Sequence, residues 1–271
     1  MSRDLDAARR LATELAVAAG RLQVERRDSV VVGRVKGHAN DLVSDVDLAS
    51  ERLIVDGIAA VFPDDGILAE EGSSAAAASG WRWVIDPLDG TRNYLTGAGP
   101  WSVCIALQEW GSADRDATRM AVVHDPVAGE TFSAVSGEGT LLGGEPLAVS
   151  STARVPEAIV GLSFNPSPET KQQVGALLAH LLPAIGDLRR VPAALNLAYA
   201  AAGRFDAAVL VDTRLWDVAA GLLIAREAGV VVDEGPDVER GFITAAAPDL
   251  WTEFARLVAA ARATASGRSS D

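Results

Sequence analysis

The chain has 271 residues, 49% of them hydrophobic, which suffices for a substantial core in one domain or two closely packed halves. Its net charge of -13 and pI near 4.7 describe an acidic surface that repels phosphate backbones and anionic membranes, so neither nucleic acid nor membrane is expected as a partner. Cys104 is the single cysteine, so no disulfide forms within the chain.

Leu5, Ala8, Ala12, Leu15, Ala16, Ala19 and Leu22 recur at helical spacing, with Ser2 placed to cap and Asp4 and Asp6 favouring the first turn. The start Met-Ser-Arg-Asp-Leu-Asp lacks the apolar core of a signal peptide, and no apolar stretch reaches membrane-spanning length, so the expected location is the cytoplasm. Residues 36–41 read as a polar loop, and a second helix is expected from Ser44 through Ile54, Ile58 and Phe62. Residues 67–69 predict a short buried strand that stops at Glu70-Glu71, and 73–80 an exposed loop of small residues. A strand over 81–85 runs into an acidic segment, followed by strands at 102–108, 120–124, 130–135 and 147–149 as an antiparallel meander. Cys104 sits inside one of these apolar runs and reads as a small core residue.

Residues 150–156 are the expected seam between an N-terminal half, 1–150, and a C-terminal half, 151–271, within one compact unit. Beyond it, strands are predicted at 159–164, 205–211 and 230–232, and helices at 170–182, 193–202, 216–228 and 249–263, with a frayed end from 265. Long helices alternating with strands indicate a layered mixed α/β fold.

Chemistry concentrates in Trp83-Val-Ile-Asp86-Pro-Leu-Asp89-Gly-Thr91. Pro87 disfavours helix at Asp86, so both carboxylates belong to a tight turn at a strand end. Two hard oxygen donors so placed suit a divalent cation. A helix starting at Gly90-Thr91 adds free amides for an anion. Glu70 and Glu71 also end an apolar strand, where like charges call for a cation. Asp217 lies at a helix start and Asp47 in the first turn of another.

These segments together resemble the inositol monophosphatase family, within the magnesium-dependent, lithium-sensitive phosphatases. Its signatures are matched by Asp86-Pro-Leu-Asp89-Gly-Thr91 after a strand and by Trp216-Asp-Val-Ala-Ala-Gly221 with Glu227-Ala-Gly229. Lys36 with Asp41-Leu-Val-Ser-Asp-Val-Asp47, Leu68-Ala-Glu-Glu-Gly72, His124-Asp-Pro-Val127 and Ala198-Tyr-Ala-Ala-Ala-Gly-Arg-Phe-Asp206 also fit. The resemblance implies an α-β-α-β-α layered sandwich, usually dimeric, that hydrolyses phosphomonoesters with metal-activated water. It implies that Glu70, Asp86 and the Leu88 carbonyl bind one Mg²⁺, that Asp86, Asp89 and Asp217 bind a second, and that a third lies near Glu70, with Mn²⁺ as a substitute. Asp47 and Thr91, with Glu70 close by, would activate the water, and Gly90 and Thr91 amides would hold the phosphate. Asp89, Ala193 and Arg189 would complete the substrate contacts, with Arg190 the alternative to Arg189.

Two positions depart from the family pattern. Val191-Pro192 precede Ala193 where many members have Gly-Ser or Gly-Thr, and Leu210 stands where inositol-specific members carry a sugar-contacting Glu, with Asp212 two residues on. An inositol phosphate is therefore one expected substrate beside histidinol phosphate, fructose bisphosphate or a 3'-phosphonucleotide. A non-catalytic regulatory protein that keeps the fold is the alternative of another class.

Overall fold

The computed structural model describes residues 3–29, 32–35, 42–111, 118–235 and 241–265. The expected polar loop at 36–41, Lys36 included, lies outside them, as do Ser2 and residues 266–271.

Helix α1 (Leu5–Arg26) buries Ala8, Ala12, Ala16 and Ala19, small residues that let its backbone lie close to a sheet. Its cap is Asp4 and not Ser2: the Asp4 carboxylate accepts the Ala7 N–H at 2.8 Å. Strands β1 (Val32–Val35) and β2 (Leu42–Ser44) form an antiparallel pair that leads into α2 (Asp45–Val61). Ser44 and Asp47 close a reciprocal capping box at the start of α2.

An eight-stranded sheet contains β3 (Gly66–Ala69), β4 (Ser74–Ala75), β5 (Trp81–Asp89), β6 (Ser102–Glu109), β7 (Thr118–Asp125), β8 (Glu130–Val135), β9 (Gly139–Leu142) and β10 (Glu145–Pro146). The order is β10-β9-β8-β7-β6-β5-β3-β4, and the run from β5 to β10 is the expected meander. Only the β3–β5 pair is parallel. The strand expected at 147–149 does not form; after Pro146 the chain leaves the sheet edge toward the second sheet. Between β5 and β6 lies the short α3 (Thr91–Thr96).

The second sheet has β11 (Ile159–Phe164), β12 (Asp187–Arg190), β13 (Ala207–Val211), β14 (Val231–Asp233) and β15 (Phe242–Ala246), in the order β12-β11-β13-β15-β14. Helices α4 (Pro168–Leu181), α5 (Ala193–Ala201), α6 (Leu215–Glu227) and α7 (Pro248–Ala265) alternate with these strands.

The alternation of side chains along each strand sorts the core into layers. Trp83, Ile85, Val103, Ile105 and Leu107 face α1 and α2, while Val84, Cys104, Ala106 and Phe132 face α5 and α6. The far side of α5 and α6 packs on β13 and β15, and α4 and α7 cover the other face of the second sheet. The layers run α-β-α-β-α, as the sequence predicted. With both faces buried, strands β5 to β7 read as continuous apolar runs rather than alternating ones. Cys104 is buried in this core, as expected.

Candidate active site

Strand parity places the carboxylates. Leu68 and Val84 face the α5/α6 layer, so Glu70 and Asp86, two residues on, follow to that side. The Glu70 N–H donates to the Ile85 carbonyl at 3.1 Å, carrying the β3–β5 ladder one residue further and setting Glu70 beside Asp86. Asp89, an odd number of residues after Asp86, would point the other way in a regular strand. It does not, because the register breaks between them: Asp86 pairs with Cys104 and Asp89 with Ser102. Since Cys104 and Ser102 share a face, the bulge at Pro87-Leu88 returns both aspartates to one side. The Leu88 N–H donates to Asp86 Oδ1 at 3.0 Å and fixes the turn.

Asp89 reaches the other layer. Its Oδ2 accepts the Ala194 N–H at 2.9 Å, at the N-terminus of α5, and the Ser102 hydroxyl at 3.4 Å. Gly90 has φ +98°, and a Cβ there would meet Pro192 Cγ at 2.8 Å, so both conformation and space require glycine. Asp217 stands in the first turn of α6, where its Oδ2 accepts the Arg214 N–H at 2.8 Å. Asp47 is fully buried; its Oδ2 takes the Ser44 N–H at 2.8 Å and the Ser44 hydroxyl, and its Oδ1 takes the Thr91 hydroxyl at 3.0 Å.

Glu70, Asp86, Leu88, Asp89, Gly90, Thr91, Ala193 and Asp217 all line one cavity of about 680 Å³. Asp47 stands behind Thr91 rather than on the cavity wall. Burial first, then the charges of Glu70, Asp89 and Asp217, push the Asp86 carboxyl well above the usual range. Asp89 is pushed up to about 7 by burial, against the Ala194 N–H that favours its charged form. Burial likewise raises Asp47 against its hydrogen bonds from Ser44 and Thr91. Four crowded carboxylates in a desolvated hollow fit a hard divalent cation, which would relieve both terms. Among the described residues no three such groups are already drawn together around one point. Mg²⁺ tolerates that, since it keeps several waters that can bridge the ion to its carboxylates.

Arg189 is placed away from the cavity. It is exposed and pairs with Asp187 at 2.6 Å, whereas Arg190 lines the cavity with its guanidinium 4.5 Å from the Phe164 ring centroid. Adjacent residues of a strand face opposite ways, so only one of the pair reaches the site. Leu210 is fully buried between β13 and the α5/α6 layer and touches no ligand space. Asp212 does not replace the missing Glu: its Oδ2 accepts the Thr170 hydroxyl at 2.9 Å, and it is not part of the cavity lining.

Two supports were not foreseen. Gln23, fully buried on α1, donates to the Pro87 carbonyl at 2.7 Å and accepts from the Trp101 indole at 2.9 Å, holding the bulge from behind. Glu51 on α2 accepts the Glu71 N–H at 2.7 Å and the Ser73 N–H at 3.0 Å, which fixes the turn after Glu70. A buried Gln and a buried Glu on otherwise apolar helix faces were the available signals. Other matched segments make hydrogen bonds within the fold. The Tyr199 hydroxyl donates to Asp125 at 2.8 Å, and Glu227 accepts the Gly137 and Gly139 N–H groups.

The chain belongs to the inositol monophosphatase family, whose model matches residues 4–266. Members are generally metal-dependent, with Mg²⁺. The protein is similar to Nus factor SuhB of Haemophilus influenzae, 39% identical over 211 residues that cover 77% of this chain and 76% of that one. Inositol-1-monophosphatase of Mycobacterium leprae is 37% identical over 260 residues, 89% of this chain and 88% of that one. The crystal structure of extragenic suppressor protein suhB from Bartonella henselae superposes with a TM-score of 0.85 at 30% identity, covering 94% of this chain and 98% of that one. Relatives named Nus factors overturn the exclusion of nucleic-acid partners drawn from the acidic balance. Net charge sets a long-range bias and does not decide what a protein assembles with.

Proposed function

We propose that the protein is a Mg²⁺-dependent phosphomonoester hydrolase of small metabolites. One observation carries this: four carboxylates, from the end of β3, from β5 and from α6, line one cavity together with Thr91, whose hydroxyl is bonded to Asp47. Glu70, Asp86 and the Leu88 carbonyl would hold one ion, Asp86, Asp89 and Asp217 a second, and Glu70 the edge of a third. Bound there, the ions supply charge neutralisation at the phosphate and a lowered pKa for water.

The protein's own part is positioning and proton movement. The Thr91 hydroxyl already donates to Asp47 Oδ1, so its lone pairs remain to accept from a water on the cavity side. The water's proton passes to Thr91 Oγ1 as the Thr91 proton passes to Asp47. Burial makes Asp47 a stronger base than an exposed aspartate, while Ser44 keeps its second oxygen in place. The Gly90 and Thr91 amides hold the phosphate, and Ala193 with Asp89 closes the wall behind it. An inositol phosphate is one substrate within this reading, although Leu210, in the position of the sugar-contacting Glu, is buried away from the cavity.

The test is phosphate release from inositol monophosphate, histidinol phosphate, fructose bisphosphate and a 3'-phosphonucleotide, each with Mg²⁺ and with chelator. Chelator-sensitive release from at least one is expected. No release from a folded, Mg²⁺-saturated protein rejects the reading in favour of a second one. That second reading is a regulatory protein retaining the fold, which the relatives named Nus factors support.

A further inference from the structure

The cavity is lined by cations as well as by carboxylates. Arg92 from α3, Lys171 from α4, Arg190 from β12 and Arg214 before α6 line it, with Phe164 and Thr213 between them. Four cations gather on this hollow in a chain of net charge -13. They balance the four carboxylates of the same cavity, so divalent ions bound to those carboxylates leave the cavity positive. With two such ions the excess is four charges, and a phosphomonoester dianion neutralises half of it.

Two details show where the remaining charge belongs. The Arg190 guanidinium lies over the Phe164 ring, 4.5 Å from its centroid, a contact that restrains the long side chain at the cavity. Burial against that ring and then the neighbouring charge of Arg92 both push Arg190 down from its usual pKa. An anion that enters the cavity beside Arg190 and Arg92 is attracted by both guanidinium groups. Independently, Thr213 is 3% exposed and lines the cavity, and its hydroxyl has no hydrogen-bond partner among the described residues. A buried hydroxyl left so is costly until a ligand or water meets it.

We infer that the substrate carries a second anionic group, a phosphate or a carboxylate, gripped by Arg190 with Arg92 and Lys171 and met by the Thr213 hydroxyl. This rests on the phosphatase reading for the first phosphate. Arg190 and Arg92 are then specificity-determining residues, and they act on affinity rather than on the chemical step.

The experiment compares glucose monophosphate, glucose bisphosphate and phosphogluconate, which share a carbon skeleton and differ in the second anion. Affinities are measured by calorimetry with Ca²⁺ in place of Mg²⁺, and kcat and KM with Mg²⁺. A doubly anionic ligand is expected to bind at least about tenfold tighter than the monophosphate, the worth of one hydrogen bond to a charged group. Preference for the bisphosphate alone assigns a phosphate, and equal preference for phosphogluconate assigns a carboxylate. Arg190→Ala should reduce the preference to within about twofold, with the loss appearing in KM; Arg190→Lys should restore part of it. Arg92→Ala should weaken the same preference, with thermal melting confirming that each variant is folded. Equal affinity for all three ligands, or a preference that survives both alanine variants, overturns the inference. Selective binding without turnover would reject the phosphatase reading and leave the anion subsite standing; turnover without selectivity would do the reverse.

Discussion

The acidic and basic walls of the cavity are built by different means. Asp86 and Asp89 are buried, and main-chain groups set their directions: a bulge for both, the Leu88 N–H for Asp86, the Ala194 N–H for Asp89. The basic wall uses long side chains from exposed positions at Arg92, Lys171 and Arg190. The first arrangement keeps like charges together at a fixed spacing, which only a rigid scaffold sustains. The second presents cations on long stems that can follow ligands of different shape. The contrast separates a part that performs a reaction from a part that selects what enters.

The sharpest way to break the contrast is Asp86→Asn. It is expected to lower Mg²⁺-dependent phosphate release by about a thousandfold, the several kcal/mol attributed to metal stabilisation. Calorimetry of the same variant in chelator should show no loss of melting temperature, because a buried, repelled charge has been removed. A variant that unfolds would make Asp86 a structural residue.

Acidity tests the same wall more gently. Asp89 has a folded pKa near 7, above its unfolded value of 3.8. The stability it contributes is therefore complete below about 3.8 and is lost as pH rises through about 7. Chelated protein should melt at a higher temperature at the acid end of this window, and Asp89→Asn should flatten that dependence. Mg²⁺ binding has the opposite sign, since the ion needs the carboxylate: affinity should fall by up to about tenfold per pH unit below 7, measured by titration calorimetry.

Gln23→Ala probes support from behind the wall. Losing the bond to the Pro87 carbonyl leaves a buried acceptor and should cost about 1–3 kcal/mol by denaturant titration. Weaker Mg²⁺ binding should accompany the loss. Arg189→Ala marks the smallest effect: its exposed pair with Asp187 should change kcat/KM less than twofold, in contrast to Arg190.

What was legible in the sequence follows the same division. Asp86 to Thr91, Ser44 to Asp47 and Trp216 to Gly221 are contiguous segments whose local conformation is set by proline, glycine and caps, so their roles in the fold could be read from neighbours alone. Glu70 and Asp217 came forward because each closes or opens a strongly patterned element. Gln23 and Glu51 did not, because their partners lie 64 and 20 residues away and only the assembled layers bring them together. Strand β12 was missed because Asp187-Leu-Arg-Arg190 is a polar edge strand with no alternating pattern, and with it went the facing of Arg189 and Arg190. Strand β15, Phe242-Ile-Thr-Ala-Ala246, is a short, wholly buried run that period alone does not distinguish from helix.

The bond from Asp89 to the Ala194 N–H has a consequence for modularity. The carboxylate is rooted in the eight-stranded sheet, yet it terminates a helix that belongs with the five-stranded one. A fragment cut within 147–158 would therefore sever more than a linker: it would strip one aspartate of the donor that opposes its protonation and leave α5 without its cap. The two sheets are interlocked components of a single machine, and neither could be lifted out as an interchangeable cassette.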